Sequence, residues 1–353
     1  MTTPPWLHHW TPVPGYLDAA TMGLPPHAVT EALSRHLDEW TAGECRAGAF
    51  DEDVRRARAA FARLVGVTPD DVAIGAQVSA LVGLVAASLP DGARVVVPRA
   101  DFASVVFPFL AHEDRGIAVE QVPLEGLADA IRPGVDLVAF SVAQSSDGRL
   151  ADVDGVLEAA RAAGTRTLAD LTQAAGWLPI EASRFDVTVT GLYKWLCAPR
   201  GSSFLTASAE LKEWIRPLYP GWYAAADVWG SIYATEMVLA DEVRRFDTSP
   251  AWPVWVGTAP ALELFAGLHR DDPSVARAVS GYGAGLADAV REALDLPAEG
   301  RPVLSLPDDG GKRRDALERA GCRVSGRAGA VRIGFHLWNT EDDVDRVVDA
   351  LTG

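Results

Sequence analysis

Basic residues are scarce in this sequence. Only 32 Lys and Arg stand against 48 Asp and Glu, so the 353 residues carry a formal net charge of −16. Nucleic acid is bound through clustered Lys and Arg that displace counterions from phosphates, and an acidic chain of this kind is not built for that. The same excess disfavours an anionic membrane surface, while leaving room for a local basic pocket around a small phosphate. Cysteine is rarer still, with Cys45, Cys197 and Cys322 the only three. They make no CxxC pair, no disulfide framework and no Cys/His group with zinc-ligand spacing, so neither a disulfide nor a metal is expected. The N-terminal MTTPPWLHHWTPVPG lacks a basic stretch followed by an apolar one, hence no signal peptide is expected. No apolar run reaches the ~20 residues of a membrane span. These absences point to a soluble, cytoplasmic protein. There is no internal repeat and no low-complexity tract. The Gly-rich SGYGAG at 280–285 falls inside a helical pattern instead of following a strand, so it does not read as a dinucleotide loop.

What is present is an ordinary globular composition, 48% hydrophobic and 23% charged, on a chain long enough to bury a large core. Helical periodicity is read at Pro26–Thr41, Asp51–Leu64, Ala80–Ser88 and Asp154–Ala163. Between and after these lie short β-rich runs: Arg94–Val97, Ala118–Val122, Val135–Val142, Arg166–Leu171, Val187–Thr190 and Ser203–Thr206. Continuous apolar strands separated by helices predict an α/β architecture with a mainly parallel sheet buried on both faces. The pattern changes near residue 250, at the Pro/Trp-rich SPAWPVW. Two long helices are expected at Val256–Leu268 and Pro273–Leu294. Short strands follow at Cys322–Ser325 and Ala330–His336. A final helix, Glu341–Leu351, is capped by Asn339-Thr340. This reads as a smaller α+β domain.

One stretch, 167–205, concentrates the chemistry. A strand ends in Asp170, and Gln173 follows three residues later. The next strand runs into Gly191-Leu192-Tyr193-Lys194. A carboxylate and an amine are thereby set at the ends of two consecutive strands, the edge at which α/β proteins bind ligands. Taken singly, an Asp at a strand end is usually a cap and a Lys usually surface. Together they are the two residue types that pyridoxal-5'-phosphate (PLP) chemistry requires: an acid to keep the pyridine nitrogen protonated, and an amine to form a Schiff base and then carry protons.

These motifs resemble the class V aminotransferases of the PLP superfamily, a group that includes cysteine desulfurases, isopenicillin N epimerase, kynureninase and ergothioneine-type C–S lyases. The resemblance runs through YLDAATMGLPP (16–26), GAQVSALVGLVAASLP (75–90), DLTQAAG, YKWLCAPRG and VRIGFHLWNTEDDVDRVVDAL (331–351). It implies the aspartate aminotransferase-like fold of type I. Residues 1–25 would then join the small domain to the active site, 26–250 would form the large PLP-binding domain, and 251–353 the small one. It also implies roles. Asp170 would pair with the pyridine nitrogen, Gln173 would contact the ring's phenolic oxygen, and Lys194 would be the Schiff-base lysine. Phe102 stands where the family stacks a ring on the cofactor, although it also reads as core. Gln77, Val78 and Ser79 would hold the phosphate at a helix N-terminus, in place of the family's usual G-T-T. Thr190 and Tyr193 are expected within reach of the phosphate. Ser249 would reach the phosphate of the opposite subunit, implying a homodimer with shared sites. Arg332 would fork the substrate α-carboxylate, a task suited to a planar guanidinium. Gln144 and Trp222 are further candidates for substrate contact.

The reaction is less legible. Deprotonation at Cα of an amino acid through an external aldimine, in transamination or epimerisation, is the first reading. β-Elimination from a cysteine S-conjugate is the alternative. Desulfurase chemistry is disfavoured, because the family's mobile Cys loop before the carboxylate arginine has almost no room between Ser325 and Arg332. A cofactor-free binding protein is disfavoured by the presence of both Asp170 and Lys194.

Overall fold

The computed structural model of the chain describes residues 4–208 and 210–353. Seven strands form the main sheet: β1 (Val72–Gly75), β2 (Arg94–Pro98), β3 (Ala118–Val122), β4 (Leu137–Ser141), β5 (Arg166–Asp170), β6 (Val187–Gly191) and β7 (Ser203–Ala207). Their order is β1-β7-β6-β5-β4-β2-β3. β7 runs antiparallel to both neighbours, and the pairs β6/β5, β5/β4, β4/β2 and β2/β3 are parallel. β4 and β6 are buried along their whole length; β4 (LVAFS) reads as a near-continuous apolar run, and β6 (VTVTG) as a strand through its β-branched residues. Two apolar clusters fill the two faces of this sheet: Phe61, Phe140 and Phe204 lie in one, Val95, Leu168 and Leu205 in the other.

Helices α1 (His27–Thr41), α2 (Phe50–Val65) and α3 (Val78–Ser88) precede the parallel strands. β1 was not anticipated. Its four residues are too short to show a period, and it is a strand because β7 pairs with it along its length. The segment after Phe102, read from sequence only as a motif, is helical at Ala103–Leu110 despite Pro108. SPAWPVW is not a break: the helix begins at Trp252 with Pro253 in its first turn and runs to Arg270.

The second sheet has three antiparallel strands, β8 (Val303–Pro307), β9 (Ser325–Arg327) and β10 (Ala330–Gly334), in the order β8-β10-β9. β8 and the helix Lys312–Arg319 were not foreseen. β9 lies three residues later than expected, because a two-residue turn with positive φ at both Ala328 and Gly329 fixes the β9/β10 register. Thr340 and Asp343 form the capping box of the last helix, Glu341–Thr352. The N-terminal segment ties the two sheets together. Tyr16 bridges Arg323 and Asp18 bridges Gly334, while Gly23 N–H donates to Tyr193 O at 2.9 Å.

Candidate active site

The C-terminal ends of the parallel strands β2, β4, β5 and β6 converge on one edge of the sheet. β5 ends at Asp170, and β6 passes Gly191 into the turn that carries Lys194. Both side chains line a cavity of about 240 Å³, together with Gln77, Val78 and Ser79 at the start of α3 and Phe102 above it. Lys194 is 5% exposed, and its Nζ lies 5.0 Å from the Phe102 ring centroid. Phe102 itself is 44% exposed, unlike a core phenylalanine, so its ring is available on one face.

Burial works against both charges. Desolvation pushes Asp170 up to about 6, partly offset by the Thr172 hydrogen bonds and the nearby Lys194 ammonium. Desolvation likewise pulls Lys194 down to about 8, against the attraction of Asp170 and with the help of Arg332, Arg327 and Arg200. Asp170 Oδ1 accepts from Thr172 N at 2.8 Å, which fixes the carboxylate at the strand end.

The residues present fit a phosphorylated pyridine aldehyde. α3 starts without any side-chain cap at Gln77, so its first N–H groups face the cavity end without a side-chain acceptor, as a phosphate requires. Two buried hydroxyls, Thr190 Oγ1 and Ser203 Oγ, have no hydrogen-bond partner among the described residues, and Ser203 lines the cavity. Tyr193 lines it as well, and the Arg200 guanidinium lies 5.2 Å from the Tyr193 ring. Arg200, Ser104, Thr172 and Ser203 were not singled out from sequence. Arg200 sits inside the YKWLCAPRG motif and its charge was the available signal. The three others are small hydroxyl residues that no spacing distinguishes.

Other expected residues lie apart from the cavity or are already engaged. Gln173 donates to Ala20 O and Ser145 Oγ, both at 3.0 Å, and accepts from Trp195 Nε1 at 2.7 Å. Its amide is therefore occupied within the protein, and a ring oxygen would have to replace Ser145. Gln144 is buried, and its amide N–H groups go to Asp101 and to Ser141 O at 3.2 Å. Asp101 in turn accepts from Ser141 N, Ser141 Oγ and Phe102 N, and so fixes the backbone from which the Phe102 ring projects. Trp222 is not among the residues lining the cavity; it packs on Trp229 at 5.1 Å and Tyr223 at 5.3 Å. Ser249 is exposed and outside the cavity of its own chain.

Arg332, on β10, is 1% exposed. It donates to Thr21 Oγ1 at 2.7 Å, to Ser325 Oγ at 3.2 Å and to Ser145 O, and lies 3.7 Å from Asp18. Burial, and secondly Arg327, lower it to about 10. A guanidinium held this deep with one carboxylate at the limit of ion-pair distance has hydrogen-bonding capacity to exchange. Between β9 and β10 there is no room for a cysteine-bearing loop, and Cys197 and Cys322 are both buried.

The family profile described as aminotransferase class-V matches residues 15–277. The chain is 27% identical to isopenicillin N epimerase of Streptomyces clavuligerus over 342 residues, 84% of this chain and 83% of that protein. It is 26% identical over 319 residues to YcbU, an uncharacterised aminotransferase of Bacillus subtilis, covering 85% of this chain and 83% of that protein. Among solved structures, the cystine C-S lyase C-DES superposes with a TM-score of 0.85 at 19% identity, covering 96% of this chain and 97% of that one. The cysteine desulfurase CsdA of Escherichia coli gives 0.80 at 20% identity, over 96% and 94% of the two chains. At such identity the likeness establishes the fold, the fold-type-I α/β arrangement expected from the motifs.

Proposed function

Since the chain belongs to the aminotransferase class-V family, we propose that it is a PLP enzyme that removes the Cα proton of an α-amino acid, in transamination or epimerisation. The observation that carries this reading is the buried Asp170/Lys194 pair at adjacent strand ends, in one cavity with the uncapped start of α3. When bound, PLP supplies an electron sink conjugated to the substrate nitrogen. The chain's own residues do the rest. Asp170 keeps a proton on the pyridine nitrogen. The first N–H groups of α3, with Ser79, Ser203 and Arg200, take the phosphate. Phe102, which lines the same cavity, would pack against the ring. Lys194 Nζ would hold the cofactor covalently and, as a free amine, would be the base for the Cα proton; a pKa lowered to about 8 by burial leaves a usable fraction of the amine neutral near pH 7. Arg332 receives the α-carboxylate, which then takes over the place of Asp18 and Thr21 at its guanidinium.

β-Elimination from a cysteine S-conjugate uses the same residues up to loss of the proton, and it is the second reading, supported by the fold shared with a cystine C-S lyase. A desulfurase requires a mobile cysteine, and the tight β9/β10 turn with two buried thiols disfavours it. We further infer a homodimer in which Ser249 of each subunit reaches the phosphate of the other. The test is a panel of amino acids and S-conjugates followed by absorbance of the bound cofactor. Keto-acid-dependent amino transfer, or exchange of the Cα hydrogen with solvent, supports the first reading. Pyruvate and ammonia from S-conjugates support the second. A purified protein that stays colourless and takes up no PLP would overturn both.

A further inference from the structure

Away from the Lys194 cavity, three side chains of different chemistry meet at the end of α1. His36 and Glu39 are three residues apart and so share a face of that helix. Gly43, with φ +73°, then reverses the chain: Gly43 N donates to Trp40 O at 3.0 Å and Glu44 N to Glu39 O at 2.9 Å. That turn brings Cys45 back over the helix. One ligand-type atom from each of His36, Glu39 and Cys45 lies within 4.8 Å of the others. A cavity of about 420 Å³ opens beside them, and it shares no lining residue with the Lys194 cavity.

The histidine is the informative member. It is 5% exposed, yet among the described residues neither ring nitrogen has an oxygen or nitrogen partner. Nε2 is buried without any hydrogen bond, and Nδ1 faces only Cys45 Sγ, 3.7 Å away. The ring nitrogen that faces Cys45 is therefore held only by a thiol, a weak hydrogen-bond partner, and gains if something stronger binds it, while Nε2 stays buried and unpaired with or without an ion. Its ring is fixed by stacking on Trp40 and an edge contact with Phe50, so the nitrogen cannot turn to find a partner without repacking. With Zn–S near 2.3 Å and Zn–N near 2.0–2.1 Å at a tetrahedral angle, the N···S separation is about 3.6 Å. The observed 3.7 Å is that spacing.

We propose that His36, Glu39 and Cys45 bind a zinc ion, or a divalent cation of similar softness, through imidazole Nδ1, one carboxylate oxygen and the thiolate. The Cys45 thiol proton goes to solvent as the S–Zn bond forms, and the fourth position faces the cavity and takes water. The arginines in the cavity wall do not cancel the site's charge: Arg56 is bonded to Glu263 at 2.8 Å, and Glu31, Glu44 and Asp53 share the wall with Arg35 and Arg46. The ion ties the end of α1 to the connector before α2. The sequence hid the site because H-x-x-E followed by a Cys six residues on is no zinc signature.

The test uses the PLP-loaded protein, stripped with EDTA and titrated with ZnCl₂. One zinc per chain should bind, slow the reaction of Cys45 with a disulfide reagent at least tenfold, and raise the melting temperature, since the ion binds only the folded chain. Cys45 is the reporter because Cys197 and Cys322 are buried. Cys45→Ala and Glu39→Gln alter partly or fully exposed positions and will fold; each should weaken zinc binding by about a hundredfold, at the upper end of what loss of an outer-shell partner alone costs. The visible band of the cofactor should not move during the titration, which separates this site from chelation at Lys194. The proposal is overturned if no zinc binds at 100 μM added metal, or if Cys45→Ala binds it as tightly as the wild type.

Discussion

Lys194 and Asp170 are each held in the environment that their charged form likes least, and each is the other's counter-charge. The consequence can be read as a pH dependence. Only the neutral amine attacks the aldehyde of PLP, and Lys194 is drawn down to about 8 from 10.5 by burial. The rate at which apoprotein captures PLP should therefore climb as pH rises from about 6.5 and level off just above 8. Stopped-flow growth of the visible band checks this, and a rate still climbing steeply near pH 9.5 would mean an unshifted lysine. Asp170→Asn keeps the shape of the site and removes its negative charge. PLP should still attach to Lys194, while turnover should fall by on the order of a hundredfold or more, about 3 kcal/mol for loss of one fixed electrostatic contact. Single-turnover rates on the same batch of holoenzyme separate attachment from chemistry. At this scale the sequence was legible where charge is out of place. The chain has only three lysines, Lys194, Lys212 and Lys312, and only Lys194 is buried. Asp170 and Arg332 were visible for the same reason. Thr172, Ser104 and Ser203 were not, because a hydroxyl costs little anywhere and no spacing marks it. Trp222 was chosen because tryptophan is abundant and this one lies near the site segments in the sequence; its indole packs on Trp229 and Tyr223.

Between elements, one tight joint is where the N-terminal segment crosses the turn carrying Lys194. Gly23 makes it possible: a Cβ there would fall inside contact distance of Lys194 O and 2.9 Å from Cys197 Sγ. The obstacle is backbone, which cannot swing aside as a side-chain tip can. Gly23→Ala should thus push the Lys194 turn off its place and cost roughly 1–3 kcal/mol, as overpacking of a tight interior does. The melting temperature should drop, and PLP should be lost on dialysis sooner than from the wild type. A variant with unchanged melting and unchanged cofactor retention would show that the turn yields freely. Parallel strands β4, β5 and β6 are almost wholly buried, so their short runs of β-branched and apolar residues stood out between helices. β1 and β8 are short edge strands whose pairing partners, β7 and β10, are distant in sequence, and nothing local announces them. β9 slipped by three residues because its register belongs to the Ala328-Gly329 turn and not to the apolar content of the preceding residues.

For the whole molecule, the question is whether one chain completes a site. The Lys194 cavity draws on α3, β5, β6 and β7 of a single chain, yet Ser249 lies exposed and outside it. If Ser249 serves a second copy, the particle should run at twice the 37.5 kDa chain mass, and two defective chains should repair each other. Lys194→Ala abolishes the site that holds it. Ser249→Glu sets a carboxylate against a phosphate and, by like-charge repulsion, abolishes the site that it enters. In a two-fold dimer with exchanged serines, a mixed particle pairs the intact Lys194 of one chain with the intact Ser249 of the other, giving one whole site, and concentrates both lesions in the second. Random reassembly of equal amounts makes half the particles mixed, so about a quarter of the wild-type activity should return from two inactive preparations. Neither variant alone supplies any activity to confuse the count. The surrounding hydroxyls give a control: Ser79→Glu strikes the same phosphate from within the Lys194 cavity, and its mixture with Lys194→Ala should recover nothing. Equal recovery in both mixtures, or none in either, would place Ser249 outside any shared site and confine each active site to a single chain.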